Sequence, residues 1–352
     1  MKKKMIKETV KRIKEGISDN IIPILCTLLV VAGMILFSEV LGEKEIIFPE
    51  VTALAIGTFL APKLSWKTSY RKIFILISIC AISGVLIVLY LPVPLWAQFA
   101  IAFVISQIIL LCSKTTFAPM ISAIMLPVML QTKSPVYICA ALILTATILL
   151  VRWMLEKAEI KEKNTYIPEK MDLSKDIPLA ILRSIIVSVL SVLAFGLGYD
   201  LRFCVAPPLL VFFTEITRRD EKAGPEQKSE DSNDKKIRKE QQFLRLKKGI
   251  PLITLCALTG VLCRYIITIL IGLPLTVSAV IATLFMIAYL FAFRIFLPPA
   301  GAMTILAMLI PESMMLFYPL QVFLGVTILS IFGMGIKDGM RAMIHSKSTP
   351  KL

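Results

Sequence analysis

Histidine is all but missing: His345, in a polar tail, is the only one among 352 residues. That excludes an imidazole proton relay or a histidine-based catalytic centre in the apolar part of the chain. Charge is also scarce, at 18% of residues, and long stretches carry none. The seven cysteines (Cys26, Cys80, Cys112, Cys139, Cys204, Cys256 and Cys263) show no C-x-x-C spacing and lie scattered in apolar runs. They read as packing residues, not as a disulfide framework or a metal set, and no metal or cofactor is expected. No G-x-x-x-x-G-K-[ST], no Gly-rich dinucleotide turn, no H-E-x-x-H and no G-x-S-x-G occurs, which argues against an ATP-driven pump or a known membrane protease. Carboxylates paired at i, i+3 or i+4 inside an apolar span are missing as well, and no enzymatic activity is expected.

What remains is apolar residue, 57% of the chain, with a mean hydropathy of +0.81. One soluble core cannot hide that much apolar surface, so the expected partner is a lipid bilayer. Spans of about 20 apolar residues recur, the length needed to cross roughly 30 Å of hydrocarbon at 1.5 Å per residue. The net charge of +15 does not point to nucleic acid, because the lysines and arginines fall between the spans. Read by the positive-inside rule, they place both termini in the cytoplasm of a cell-membrane protein. The basic opening before Ile21 precedes a span too long for a signal-peptide core and is expected to persist as a signal anchor.

The spacing gives twelve spans: 21–41, 48–62, 73–91, 94–112, 117–131, 135–152, 177–198, 203–217, 250–272, 275–293, 297–311 and 319–336. The expected fold is all-α, a polytopic membrane protein of about twelve transmembrane or re-entrant helices. They fall into two parallel six-helix repeats, 20–155 and 177–340, each a three-plus-three inverted repeat with a short, proline-opened middle helix. A basic N-terminus (1–19), a cytoplasmic linker (156–176), a charged insert (218–249) and a tail (341–352) complete the chain. The insert is rich in Lys, Glu, Asp, Ser and Gln, too polar to bury a core, and is expected as a mobile loop.

Two segments nearly repeat two others. Phe48-Pro49-Glu50-Val51-Thr52-Ala53 answers Ala206-Pro207-Pro208-Leu209-Leu210-Val211. Phe117-Ala118-Pro119-Met120-Ile121-Ser122-Ala123 answers Phe296-Leu297-Pro298-Pro299-Ala300-Gly301-Ala302. The four short spans built on them cover about 15 residues, roughly 22 Å as helix, less than the hydrocarbon thickness. Proline fixes φ and lacks an amide that a first turn leaves unpaired anyway, so Pro49, Pro119, Pro207, Pro208, Pro298 and Pro299 mark helix starts. Starts lying at depth would turn free amides and a positive dipole end toward an anion. Short, interrupted spans at matching places in two halves are the sequence pointer to a transporter's binding site.

Small or hydroxylic residues follow three of the four starts: Thr52, Ser122, and Gly301 with Thr304. They offer donors to a ligand or simply let helices pack closely. Arg264, the most interior charge, has three readings: countercharge for an anionic substrate, partner of Glu50 or Glu215, or a side chain snorkelling outward. Glu50 complements the dipole of its helix, and Arg183 and Arg294 read as topology anchors.

At Phe296-Leu297-Pro298-Pro299-Ala300-Gly301-Ala302-Met303-Thr304 the chain resembles the HPP family of integral membrane proteins, named for a His-Pro-Pro motif followed by small residues and Thr. Pro49-Glu50-Val51-Thr52-Ala53-Leu54-Ala55-Ile56-Gly57 is similar to that family's first helix start. The motif's histidine is Leu297 here and Ala118 in the first half, so any role of that imidazole is absent. Plant members are implicated in nitrite transport across plastid membranes, and the resemblance implies a transporter of a small anion or polar metabolite. The fusaric-acid and aromatic-acid exporter families share the repeated six-span plan and stand as a competing assignment. A membrane scaffold or sensor acting through the charged insert is the reading from a different class. An oligomeric state is not legible.

Overall fold

The computed structural model describes residues 2–166, 168, 173–196, 200–218 and 232–348; the charged insert between 219 and 231 and the last four residues lie outside it. Among the described residues every regular element is helical. An amphipathic basic helix α1 (Lys2–Asp19) leads into α2 (Ile21–Leu41), and α3 (Glu50–Ala55) runs on into a wider π turn (Ile56–Leu60). Helices α4 (Tyr70–Tyr90), α5 (Leu95–Ser113), α6 (Pro119–Leu130) and α7 (Pro135–Lys157) complete the first half. The second half holds α8 (Leu173–Gly196), α9 (Pro207–Thr217), α10 (Ser232–Cys263, continued by a π segment Arg264–Leu270), α11 (Leu275–Phe293), α12 (Pro298–Leu306) and α13 (Tyr318–Ser348).

Among the described residues, eight helices (α2, α4, α5, α7, α8, α10, α11 and α13) contain a stretch long and apolar enough to cross a bilayer. Between 33% and 50% of each such stretch is buried against the protein, so each helix keeps an apolar side free for lipid, as Leu29 and Phe37 illustrate on α2. The chain is a multi-pass helical membrane protein. The four spans read from sequence as 48–62, 117–131, 203–217 and 297–311 are the ones below that length, and they correspond to α3, α6, α9 and α12.

The expected loop 218–249 is helical from Ser232 onward and continuous with α10. Its Lys, Arg, Glu and Gln residues are good helix formers, and propagation from an anchored helix costs far less than nucleation. The part of the linker up to Tyr166 folds back on the first half. Asn164 Nδ2 donates to Thr68 O at 2.8 Å, and Lys72 Nζ donates to Ser113 O at 2.8 Å and Tyr166 Oη at 2.9 Å. These bonds gather the lysine-bearing loops on one face. The other face holds Gln98, whose Nε2 donates to Leu91 O at 2.8 Å, and Glu39, which accepts the amides of Leu275 and Thr276 at 2.5 and 3.0 Å. Glu39 thereby caps the start of α11 from the end of α2.

Contacts recur in matched pairs. Within the halves, α4 packs on α6 and α7 while α10 packs on α12 and α13; between them, α5 packs on α8 while α11 packs on α2. Gly84 of α4 leaves no room for a Cβ against Ile124 O of α6, and Gly260 of α10 leaves none against Thr304 O of α12. Tyr137 Oη donates to Ala123 O at 2.9 Å, and Tyr318 Oη donates to Met303 O at 2.7 Å. Phe48 meets the Tyr137 ring edge-on with centroids 5.8 Å apart, and Phe203 meets Tyr318 likewise at 5.1 Å. Lys114 and Arg294, at the ends of α5 and α11, both turn the chain with left-handed φ of 51° and 54°.

Candidate functional site

Each short helix is reached through a stretch of non-helical or 3-10 backbone, and for α3, α6 and α9 that stretch is held by side chains. Phe48 N donates to Met34 Sδ at 3.2 Å before Pro49 turns the chain into α3. Lys67 N donates to Thr116 Oγ1 at 2.8 Å ahead of Pro119. Phe203 N donates to Gln321 Oε1 at 3.0 Å ahead of Pro207 and Pro208. Side chains are needed there because buried, non-helical backbone has no ladder to satisfy it. The prolines stand in the first turns of α6, α9 and α12, and Pro49 immediately precedes α3.

The starts of α3 and α6 meet inside the protein. Ser122 Oγ donates a short hydrogen bond to Glu50 Oε1, and both residues are 1% exposed. The second carboxyl oxygen, Glu50 Oε2, has no hydrogen-bond partner, and neither has Thr52 Oγ1. Positions two apart on a helix point to different sides. Accordingly Glu50 faces α6, whereas Thr52 faces α12, where a Cβ built on Gly301 would lie 2.9 Å from Thr52 Cγ2 and 2.5 Å from Ile56 Cδ1. Gly301 is thus the point of closest approach between α3 and α12, and α6 packs on α9 in the matching contact. Pro207, Pro208, Pro298 and Pro299 are all buried there.

Thr304 does not offer its hydroxyl to this junction: Oγ1 donates to Ala300 O at 3.0 Å, one turn back in its own helix. A threonine in an apolar helix interior satisfies itself this way when no other acceptor is in reach. The second half also lacks the acid–hydroxyl pair, since Pro208 and Gly301 stand where the sequence repeat aligns Glu50 and Ser122.

At their far ends the short helices expose C-terminal carbonyls, and arginines cap three of them, Arg152 and Arg183 buried and Arg264 half-buried. Arg152 of α7, 1% exposed, donates from Nη1 to Thr58 O at 2.5 Å, from Nη2 to Glu162 O at 2.7 Å and from Nε to Glu156 Oε1 at 2.9 Å. Arg183 of α8 donates to Thr217 Oγ1 at 2.7 Å and Thr214 O at 3.1 Å at the end of α9. Arg264 donates from Nη1 to Ala307 O at 2.9 Å and Ile310 O at 2.5 Å, just past the end of α12. The fourth, α6, is closed by an amide: Gln131 Nε2 donates to Val128 O at 3.0 Å and to Gln98 Oε1 at 2.7 Å. A cation at a helix C-terminus meets both the negative dipole end and unpaired carbonyls, which offsets the cost of its burial.

This placement bears on two readings from sequence. Arg264 stands at the end of α12 remote from Pro298, with Nη1 engaged by two carbonyls. Glu215 Oε1 accepts from Trp66 Nε1 at 3.1 Å. Arg183, read as a topology anchor, is 5% exposed and bonded to the end of α9. Arg152 was hidden among the lysines that follow α7; its signal is a position one turn inside the helix end, four residues before Glu156.

No family model matches this chain, and no match is found among curated proteins or solved structures.

Proposed function

We propose that this chain is a secondary membrane transporter for a small anion or polar metabolite, nitrite-like or a small carboxylate. Its site lies at the proline-opened short helices between two parallel six-helix repeats of the HPP-like plan. The observation that carries this reading is the meeting of α3 and α6 at Glu50 and Ser122 inside the protein, with α12 closing on α3 across the halves. Half-length helices ending at depth serve substrate recognition in transporters, because their first-turn amides are free where no water competes.

The two-repeat arrangement is supported by the reciprocal packing of α5 on α8 and α11 on α2, and by the matched tyrosine, glycine and left-handed positions. On this reading the short helices with their non-helical approaches complete twelve passages, each half is a three-plus-three inverted repeat, and the lysine-bearing face with both termini is cytoplasmic in the cell membrane. On this reading the donor to the substrate is the Met120 amide in the first turn of α6, since Ser122 Oγ is given to Glu50, Pro298 and Pro299 have no N–H and Ala300 N donates to Leu297 O at 3.0 Å; the arginines hold the far ends of the short helices in place.

The test is flux. Purified protein in liposomes is expected to accumulate nitrite, nitrate or a small carboxylate above the rate of empty liposomes under an ion gradient. Absence of flux for all three under every gradient refutes the reading.

A further inference from the structure

We propose that Glu50 is a proton-binding site: its carboxyl takes up and releases a proton from inside the membrane part of the protein, and through it transport is coupled to a proton gradient. The coupling half rests on the transporter reading above; the proton site does not. Glu50 is 1% exposed, receives one side-chain hydrogen bond, from Ser122, and leaves Oε2 without a partner. A charged carboxylate so placed lacks both water and a countercharge, a condition that intramembrane acids meet by binding a proton.

The surroundings of Glu50 bear this out element by element. Helices α6 and α12 carry no titratable residue. The π turn after α3 carries none either. From α7, Tyr137 is the near group, its hydroxyl already given to Ala123 O, while Arg152 is held by Thr58 O at the opposite end of the same short helix. From α4, Cys80 is buried behind Tyr137. On α2 the titratable groups are Cys26 and Glu39, and Glu39 is bound to the start of α11. No lysine, arginine or histidine among the described residues forms an ion pair with Glu50.

A metal cation does not fit in the proton's place. A sodium-like ion needs several oxygens converging on it. The one side-chain oxygen bonded to Glu50 is Ser122 Oγ, and the Thr52 side chain packs against Gly301 through Cγ2. A proton needs a single oxygen.

The step balances simply. Hydronium on the open side gives a proton to the carboxylate, one of its O–H bonds breaking to leave water as the carboxyl O–H forms; when the junction opens to the other side the acid O–H breaks and the proton passes to water, re-forming hydronium there. An anion among the same helix starts is compatible with the neutral acid and repelled by the carboxylate. Proton and anion therefore travel together.

The experiment uses the full chain in phosphatidylethanolamine–phosphatidylglycerol vesicles. Infrared difference spectra across pH should show a protonated carboxyl C=O band that titrates reversibly and is missing from Glu50→Gln. The same band in both proteins overturns the proton site. Should Glu50→Gln fail to fold, Ser122→Ala serves: loss of the hydroxyl that binds the carboxyl shifts the band, and an unmoved band overturns the assignment. In a second arm, vesicles loaded with a pH dye receive external nitrite. Acidification of the lumen above empty vesicles, reduced about ten-fold or more in Glu50→Gln, supports coupling. Equal acidification by Glu50→Gln, or nitrite uptake without acidification in the unaltered protein, overturns it. With no nitrite uptake at all, the transporter reading and the coupling fall together, while the infrared titration still decides the proton site.

Discussion

Replacing Arg152 by methionine removes a guanidinium that is 1% exposed and leaves its partners behind. Glu156, its side chain 10% exposed, loses the cation at 2.9 Å and keeps only the hydroxyl of Tyr70; Thr58 O, in the π turn after α3, loses its donor at 2.5 Å. Glu162 O lies on an exposed residue and can turn to water. Breaking a buried ion pair from one side costs about 3–5 kcal/mol, most of it the penalty of the stranded charge. At roughly 2 °C per kcal/mol for a large domain, the melting temperature in detergent should fall by about 6–10 °C. The double replacement Arg152→Met/Glu156→Met removes the stranded charge as well. It should recover to within about 1–3 kcal/mol of the unaltered protein, the remainder being the unpaired Thr58 carbonyl. Melting followed by intrinsic fluorescence, run as a double-mutant cycle, reads both numbers. A double variant as unstable as Arg152→Met alone would falsify the view that charge burial, and not packing, dominates at this end of α3.

Tyr137→Phe and Tyr318→Phe each remove one hydroxyl bonded to a buried carbonyl. Each should cost about 1–2 kcal/mol, and the pair should add, read from the same melting curves. Gly301→Leu forces a side chain into Thr52 and Ile56 and should cost about 1–3 kcal/mol or more by overpacking, visible as a lower melting temperature with the protein still monodisperse. Arg264→Met uncaps two carbonyls at a half-exposed site and should lower stability by about 1–2 kcal/mol while leaving the KM for transported anion unchanged. A raised KM would return Arg264 to the substrate.

Much of the fold was legible because the bilayer imposes a length rule that local sequence obeys. Every helix long enough to cross was marked by its apolar run, and the four short ones by proline at their start. Sequence marked Glu50 and Ser122 separately, each just inside a proline-opened start, without pairing them. What it left hidden depends on partners far along the chain. The bond from Arg152 to Thr58 spans 94 residues and that from Arg264 to Ala307 spans 43, and no local pattern announces which carbonyl an arginine will cap. Thr304 misled for the opposite reason: its hydroxyl is satisfied within its own helix. The contact of Gly301 with Thr52 joins the two halves, and small residues in both gave only the possibility of close approach, not the partner.

That contact also permits a decisive measurement. Cysteines at Thr52 and Gly301, with the two exposed thiols Cys112 and Cys139 changed to serine, should form a disulfide across the halves, because a Cβ at Gly301 lies 2.9 Å from Thr52 Cγ2. If substrate passes between two repeats that move against each other at the short helices, oxidised vesicles should lose nitrite uptake and regain it on reduction. Uptake that is the same in the oxidised and reduced protein, with the disulfide verified, would contradict a site at this junction.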